Sequence, residues 1–143
     1  MPEPEPCDEK PERLPPFFLD GVAAGFPSPA TDAAEGPLDL NRLCIRHPAA
    51  SYFIRARGDS MIGAGIGDGD ILIVDRALQA RSGDIIIASL DGEFTVKRYV
   101  NEGGRIQLVP ENPAYPAIDI RRGETACEFF GVVTSAIRFF RPC

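Results

Sequence analysis

The sequence predicts a mostly β chain, a partly closed antiparallel fold with one short N-terminal helix and a flexible N-terminal arm. Three observations carry that expectation. Strand-like runs rich in Val, Ile, Phe and Tyr follow one another from Ala50 onward. Turn signals separate them, at Asp68-Gly69-Asp70, Ser82-Gly83-Asp84 and Asp91-Gly92. The runs lie too close together to leave room for the crossover helices of a parallel sheet.

Taken in order, residues 1–16 carry six prolines and five acids. They lack the apolar periodicity needed to offset the entropy of ordering, so disorder is expected. Pro15-Pro16-Phe17-Phe18-Leu19 is a short apolar patch after that tract, and residues 21–36, rich in Gly, Ala, Pro and Ser, read as a loose tether. Leu38, Leu40, Leu43 and Cys44 have the spacing of a short helix, which Pro48 should end. Strands are expected over 52–57, 71–75, 84–90, 94–100, 106–109 and 128–140, the last possessing more apolar residues than one strand needs. That last stretch reads as core or as a dimer edge, since an unpaired strand edge invites a partner. Asp91-Gly92 should close a tight hairpin.

Composition narrows the function classes. The 143 residues fit one domain with a modest core, and 44% of them are hydrophobic. The formal charge is −6, from 15 Lys+Arg against 21 Asp+Glu. Phosphate binding needs clustered cations, so direct nucleic-acid binding is not expected. The start, Met-Pro-Glu-Pro-Glu-Pro, has no signal-peptide pattern, and no apolar run is long enough for a transmembrane helix. Cys7, Cys44, Cys127 and Cys143 form no Cys-x-x-Cys pair, and His47 is the single histidine, so neither a metal nor a cofactor site is expected. Reduced thiols and a cytoplasmic location are the plain reading; Cys44 and Cys127 read as small buried residues, Cys143 as a tail residue.

The chemistry centres on Gly58-Asp59-Ser60-Met61. A turn there can expose the Ser60 hydroxyl and aim successive backbone N–H groups at one point, where an oxyanion could form. The plainer alternative is a serine capping a short helix at Met61-Ile62. A serine nucleophile needs a base. His47 precedes Ser60 and is followed by Pro48, which suits a surface residue at a helix end, and residue 62 is Ile, so the Gly-x-Ser-x-Gly elbow is absent. That leaves lysine, and of the two, Lys10 lies in the acidic tract while Lys97 sits in Phe94-Thr95-Val96-Lys97-Arg98-Tyr99. An ordinary lysine is neutral about one part in 2,500 at pH 7, and bringing its pKa down to about 7 costs roughly 4.6 kcal/mol. Burial can supply a shift of that size. Strand alternation puts Lys97 with Thr95 and Tyr99, opposite Phe94 and Val96, so periodicity alone leaves open an exposed strand lysine.

Several blocks resemble the UmuD and LexA family of self-cleaving proteins. They are Phe26-Pro27-Ser28-Pro29-Ala30, Ser51-Tyr52-Phe53-Ile54, Gly58-Asp59-Ser60-Met61, the 67–75 run Gly-Asp-Gly-Asp-Ile-Leu-Ile-Val-Asp, Gly92-Glu93-Phe94-Thr95-Val96-Lys97 and the 110–116 run Pro-Glu-Asn-Pro-Ala-Tyr-Pro. The resemblance implies that Ser60 is the nucleophile and Lys97 its general base. It also implies a LexA/UmuD-like β peptidase domain that dimerises. The bond matching the one such proteins cut is Ala24-Gly25, which divides the chain into a removable arm, 1–24, and a Ser-Lys peptidase and dimerisation domain, 25–143. Small residues let a backbone approach a nucleophile closely. The 12 residues from Phe26 to Pro37 span about 40 Å when extended, so reach is no obstacle within one chain or across a dimer. No recognition helix fits in the 24 acidic, proline-rich residues before Gly25, which resembles the UmuD branch. That branch implies cleavage stimulated by a RecA filament on single-stranded DNA. The trimmed dimer would then join UmuC, an error-prone translesion polymerase, in the SOS response. The alternatives are a non-enzymatic dimeric adaptor, a LexA-like repressor fragment and a signal-peptidase-like enzyme, the last needing a membrane anchor.

Overall fold

The computed structural model describes residues 14–18, 21–22, 24–25, 34–121 and 126–141. Most of the acidic tract with Cys7 and Lys10, the 26–30 block and Cys143 lie outside the described residues. The strands β1 (Pro16–Phe18) and β2 (Ala34–Pro37) pair antiparallel as a small ribbon. The apolar patch after the proline tract is thus a strand, and the far end of the expected tether is its partner. The helix α1 runs Leu40–Cys44, with the Asp39 carboxylate accepting from the Asn41 N–H at 3.0 Å as its cap. It ends at Ile45, ahead of Pro48, and that proline instead begins a 3-10 turn, Pro48–Ala50.

Seven further strands form one antiparallel sheet: β3 (Ser51–Arg55), β4 (Ile71–Asp75), β5 (Ile85–Leu90), β6 (Glu93–Glu102), β7 (Arg105–Val109), β8 (Ile118–Ile120) and β9 (Cys127–Ile137). Their spatial order is β3-β4-β9-β5-β6-β7-β8, with β3 and β8 at the edges. The mostly β, antiparallel class expected from the sequence is the one observed, and the sheet stays open. Asp91-Gly92 joins β5 to β6, with both residues at positive φ, as a tight hairpin turn requires. The short β8 has no counterpart among the expected strands; three residues between prolines and a charged stretch carry too little periodicity to be read.

One expectation is corrected by topology. β9 is no edge strand: it is hydrogen-bonded to β4 on one side and β5 on the other. Its surplus of apolar residues follows from that central place. Phe139 and Phe140, beyond the strand, are 53% and 93% exposed.

Packing covers both faces of the middle strands. Leu72, Val74 and Ile87 join Ala56, Met61 and Ile66 in one cluster, while Ile86, Ala88, Leu108 and Val132 form another, flanked by Leu78 and Ala80. Ile86 and Ile87 are neighbours in one strand and therefore point to opposite faces, yet both are buried. The first cluster matters for function, because Met61 follows Ser60 and anchors that turn to the core.

Two smaller expectations also shift. His47 is not a bare surface residue, since its Nδ1 lies 2.7 Å from the carboxylate of buried Asp75. Cys44 and Cys127 are half-buried free thiols rather than fully buried ones, and burial pushes the Cys127 thiol up in pKa. Among the described residues no helix is long and apolar enough to cross a membrane.

Candidate active site

Ser60 and Lys97, 37 positions apart in the chain, meet in space, with Nζ to Oγ at 3.3 Å. The meeting has a simple origin. β7 accompanies β6 only as far as the Arg98–Val109 pair. The chain then turns through Pro110, and the Glu111 N–H donates to the Ser60 carbonyl at 2.8 Å. The serine turn therefore occupies the place beside Lys97 that β7 vacates.

The turn itself is built from the Gly-Asp-Ser-Met block. Gly58 sits at φ +85°, which a side chain would resist, and its N–H donates to the Asp68 carboxylate at 2.7 Å. Ile62 donates to the Asp59 carbonyl and opens a 3-10 turn, Ile62–Ala64, whose cap is Met61 with no side-chain hydrogen bond. Ser60 is thus not a helix cap, and its hydroxyl is left for Lys97. Among the described residues, no acceptor pairs with the N–H groups of Ser60 and Met61.

Lys97 is 9% exposed, which removes the reading of a solvated strand lysine. Register sets it opposite Ile86 of the buried β5 strand, so alternation, which presumes one wet face, does not apply here. Its Nζ also donates to Thr95 Oγ1 at 2.8 Å and to the Val96 carbonyl at 3.0 Å. Burial holds its pKa below the ordinary lysine value. Three acceptors satisfy the three hydrogens of the ammonium form. The neutral amine has two hydrogens and one lone pair. With the hydrogens on Thr95 and Val96, the lone pair faces the Ser60 hydroxyl, which is the geometry a base needs.

A groove runs from Ser60, lined by apolar Ile54, Ala56, Met61, Ile66, Ile87 and Phe94 and by polar Arg55, Arg57 and Thr95. The Phe94 ring, 60% exposed, stands edge-on to Phe130 at 4.7 Å. Ala24 and Gly25 form an exposed bend, and a Cβ built on Gly25 would meet no atom within 4 Å. The bond is therefore not seated in the groove in this conformation. Among the described residues no group of three or more His, Cys, Asp or Glu could hold a metal ion.

Sequence reasoning missed Thr95 as a partner of the amine and missed the contacts of the 110–116 run. The signal for the first was its place two residues before Lys97 on the same strand. For the second, Asn112-Pro113 promised only a turn.

Comparison with known proteins decides the family. The Peptidase S24-like family matches residues 16–134. The chain belongs to that family. Protein SamA of Salmonella typhimurium is 48% identical over 136 residues, 95% of this chain and 91% of that protein. Protein MucA of Escherichia coli is 43% identical over 122 residues, 85% of this chain and 83% of that protein. LexA repressor 1 of Geobacter sulfurreducens is 38% identical over 117 residues, covering 82% of this chain and 57% of the repressor. The resemblance to UmuD- and LexA-like proteins holds across these relatives, and serine peptidase is the kind of enzyme the family describes.

Proposed function

We propose that the protein is a self-cleaving Ser-Lys peptidase that severs its own Ala24-Gly25 bond. The observation that carries this reading is the buried lysine amine 3.3 Å from the serine hydroxyl, with its other hydrogens engaged by Thr95 and Val96. The neutral Lys97 amine takes the Ser60 proton as Oγ attacks the Ala24 carbonyl carbon. The N–H groups of Ser60 and Met61, without an acceptor among the described residues, can receive the oxyanion. The C–N bond then breaks, and the Gly25 nitrogen leaves with the proton from Lys97. Water hydrolyses the acyl group on Ser60, releasing Ala24 as a carboxylate. For this the exposed bend at Ala24-Gly25 must swing into the groove beside Ser60, and chain length permits it.

In the wider setting, the trimmed chain acts as a homodimeric accessory subunit of an error-prone translesion polymerase of the UmuC type in the SOS response. A RecA filament on single-stranded DNA stimulates the cut. The net charge of −6 fits a role near DNA that runs through protein partners rather than direct contact. A cytoplasmic site of action follows from that role.

The test is N-terminal sequencing of the product after incubation between pH 7 and pH 10, with and without activated RecA. The expected fragment begins at Gly25. Its rate rises with pH as Lys97 loses its proton, and Ser60→Ala and Lys97→Ala give none. A Ser60→Ala chain processed like the parent would overturn the dyad.

A further inference from the structure

The 110–116 segment grips the serine turn at several points, and none of them involves the Ser60 hydroxyl or the Lys97 amine. The Tyr115 hydroxyl donates to the Asp59 carboxylate at 2.6 Å. The Asn112 amide donates to the Asp59 carbonyl at 3.0 Å, and its own oxygen accepts from the Ala114 N–H at 2.9 Å. Glu111 takes the main chain on both sides of Met61: its N–H donates to the Ser60 carbonyl and its carbonyl accepts from the Gly63 N–H, both at 2.8 Å. The approach is close enough that a Cβ on Gly63 would lie 2.6 Å from the Glu111 oxygen. Glu111 is in turn ion-paired to Arg98, the residue after Lys97. One loop thus ties the turn that bears the serine to the strand that bears the lysine.

Resting on the peptidase reading above, we propose that Tyr115 and Asn112 are positioning residues, which hold Asp59 so that the Ser60 hydroxyl stays within reach of Lys97. Asp59 precedes Ser60 and is exposed, so its carboxylate has no part in the core. Tyr115 is 45% exposed, and its hydroxyl contributes little packing. The value of their contact lies in fixing the backbone at residue 59. A nucleophile displaced by about 1 Å can lose about a hundredfold in rate.

The experiment compares the full-length wild-type chain with Tyr115→Phe, Asp59→Asn and Tyr115→Phe combined with Asn112→Ala. Self-cleavage is followed from pH 6 to pH 9, with labelling of Ser60 by a fluorophosphonate and with thermal melting. Tyr115→Phe should slow cleavage and labelling by roughly tenfold and the double variant by more, up to about a hundredfold. The pH profile should keep its midpoint, because Lys97 is untouched, and the melting temperature should stay within about 2 °C. Asp59→Asn should stay within about threefold of the parent, since its amide oxygen still accepts the phenol hydrogen. A Tyr115→Phe rate within twofold of the parent overturns the proposal. So does a rate loss that comes with a moved midpoint or with an equally large fall in melting temperature. A parent chain that yields no Gly25 fragment sinks the peptidase reading and the clamp together. A processed parent with an unimpaired Tyr115→Phe sinks the clamp alone.

Discussion

The middle of the sheet and the N-terminal ribbon with its helix are held in opposite ways. Leu72, Val74 and Ile87 in β4 and β5 are at most 1% exposed. In α1 no residue is buried, and Leu40 and Leu43 are 58% and 60% exposed. The serine turn is tied to the first region through Met61 and Ile66. The candidate scissile bond belongs with the second. The proposed self-cleavage would need both conditions: a rigid site for the reacting atoms, and a weakly held segment that can leave one position and reach another.

Substitutions in the two regions should differ widely in their cost. Leu72→Ala should cost about 2–5 kcal/mol in chemical denaturation, from lost burial and the cavity left behind. Arg138→Ala comes next, at about 3 kcal/mol. Its guanidinium makes two hydrogen bonds to buried Asp70, at 2.8 and 2.9 Å, and the carboxylate would be left with the Gly67 N–H alone.

Acid should weaken the sheet through the same groups. The Arg138 hydrogen bonds hold Asp70 below the usual carboxylate range, and the His47 hydrogen bond does so for Asp75. Both aspartates therefore contribute stability that is fully present above their unfolded pKa, about 3.9, and lost as pH falls through the lower folded values. Melting followed from pH 6 down to pH 2 should show the loss only below about pH 4, and Arg138→Ala should flatten it.

Lys97 gives the same direction of slope in an alkaline window, though here burial disfavours the charged form instead of hydrogen bonds favouring it. Its folded pKa lies below the unfolded value of about 10.4, so the unfolded chain binds more protons in that window. Stability of the parent relative to Lys97→Met should therefore rise between neutral pH and about pH 10. A parallel pair of curves over that range would show that burial does not disfavour the charged amine. Leu40→Ala is the smallest effect, within about 0.5 kcal/mol, because its side chain is mostly in water already. A loss as large as that of Leu72→Ala would mean that α1 is covered, and the contrast between the two regions would collapse.

Much of the fold was legible because its signals are local. The expected strand over 71–75 coincides with β4, and the Asp91-Gly92 turn lies where its φ preference put it. Ser60 and Lys97 were legible as candidates through residue chemistry and family resemblance. Their environment was not. Alternation assigns faces only when one face is wet, and β5 buries both, so the burial of Lys97 had no periodic signature. The central position of β9 was hidden for a related reason: an apolar run reads alike whether it is flanked by two strands or by one.

By itself the sequence determined the antiparallel β class, the turn at Gly58-Asp59-Ser60 and the two residue types able to form a serine–amine pair. These follow from neighbours within a few positions, where backbone preference and side-chain chemistry act directly. Only the tertiary structure decided that Ser60 stands where β7 leaves β6, that Lys97 is desolvated there, and that Asn112 and Tyr115 reach across to Asp59. Those contacts join segments between 37 and 56 positions apart. Such pairings depend on how the whole sheet packs, because distance along the chain carries no information about which surfaces will close over one another.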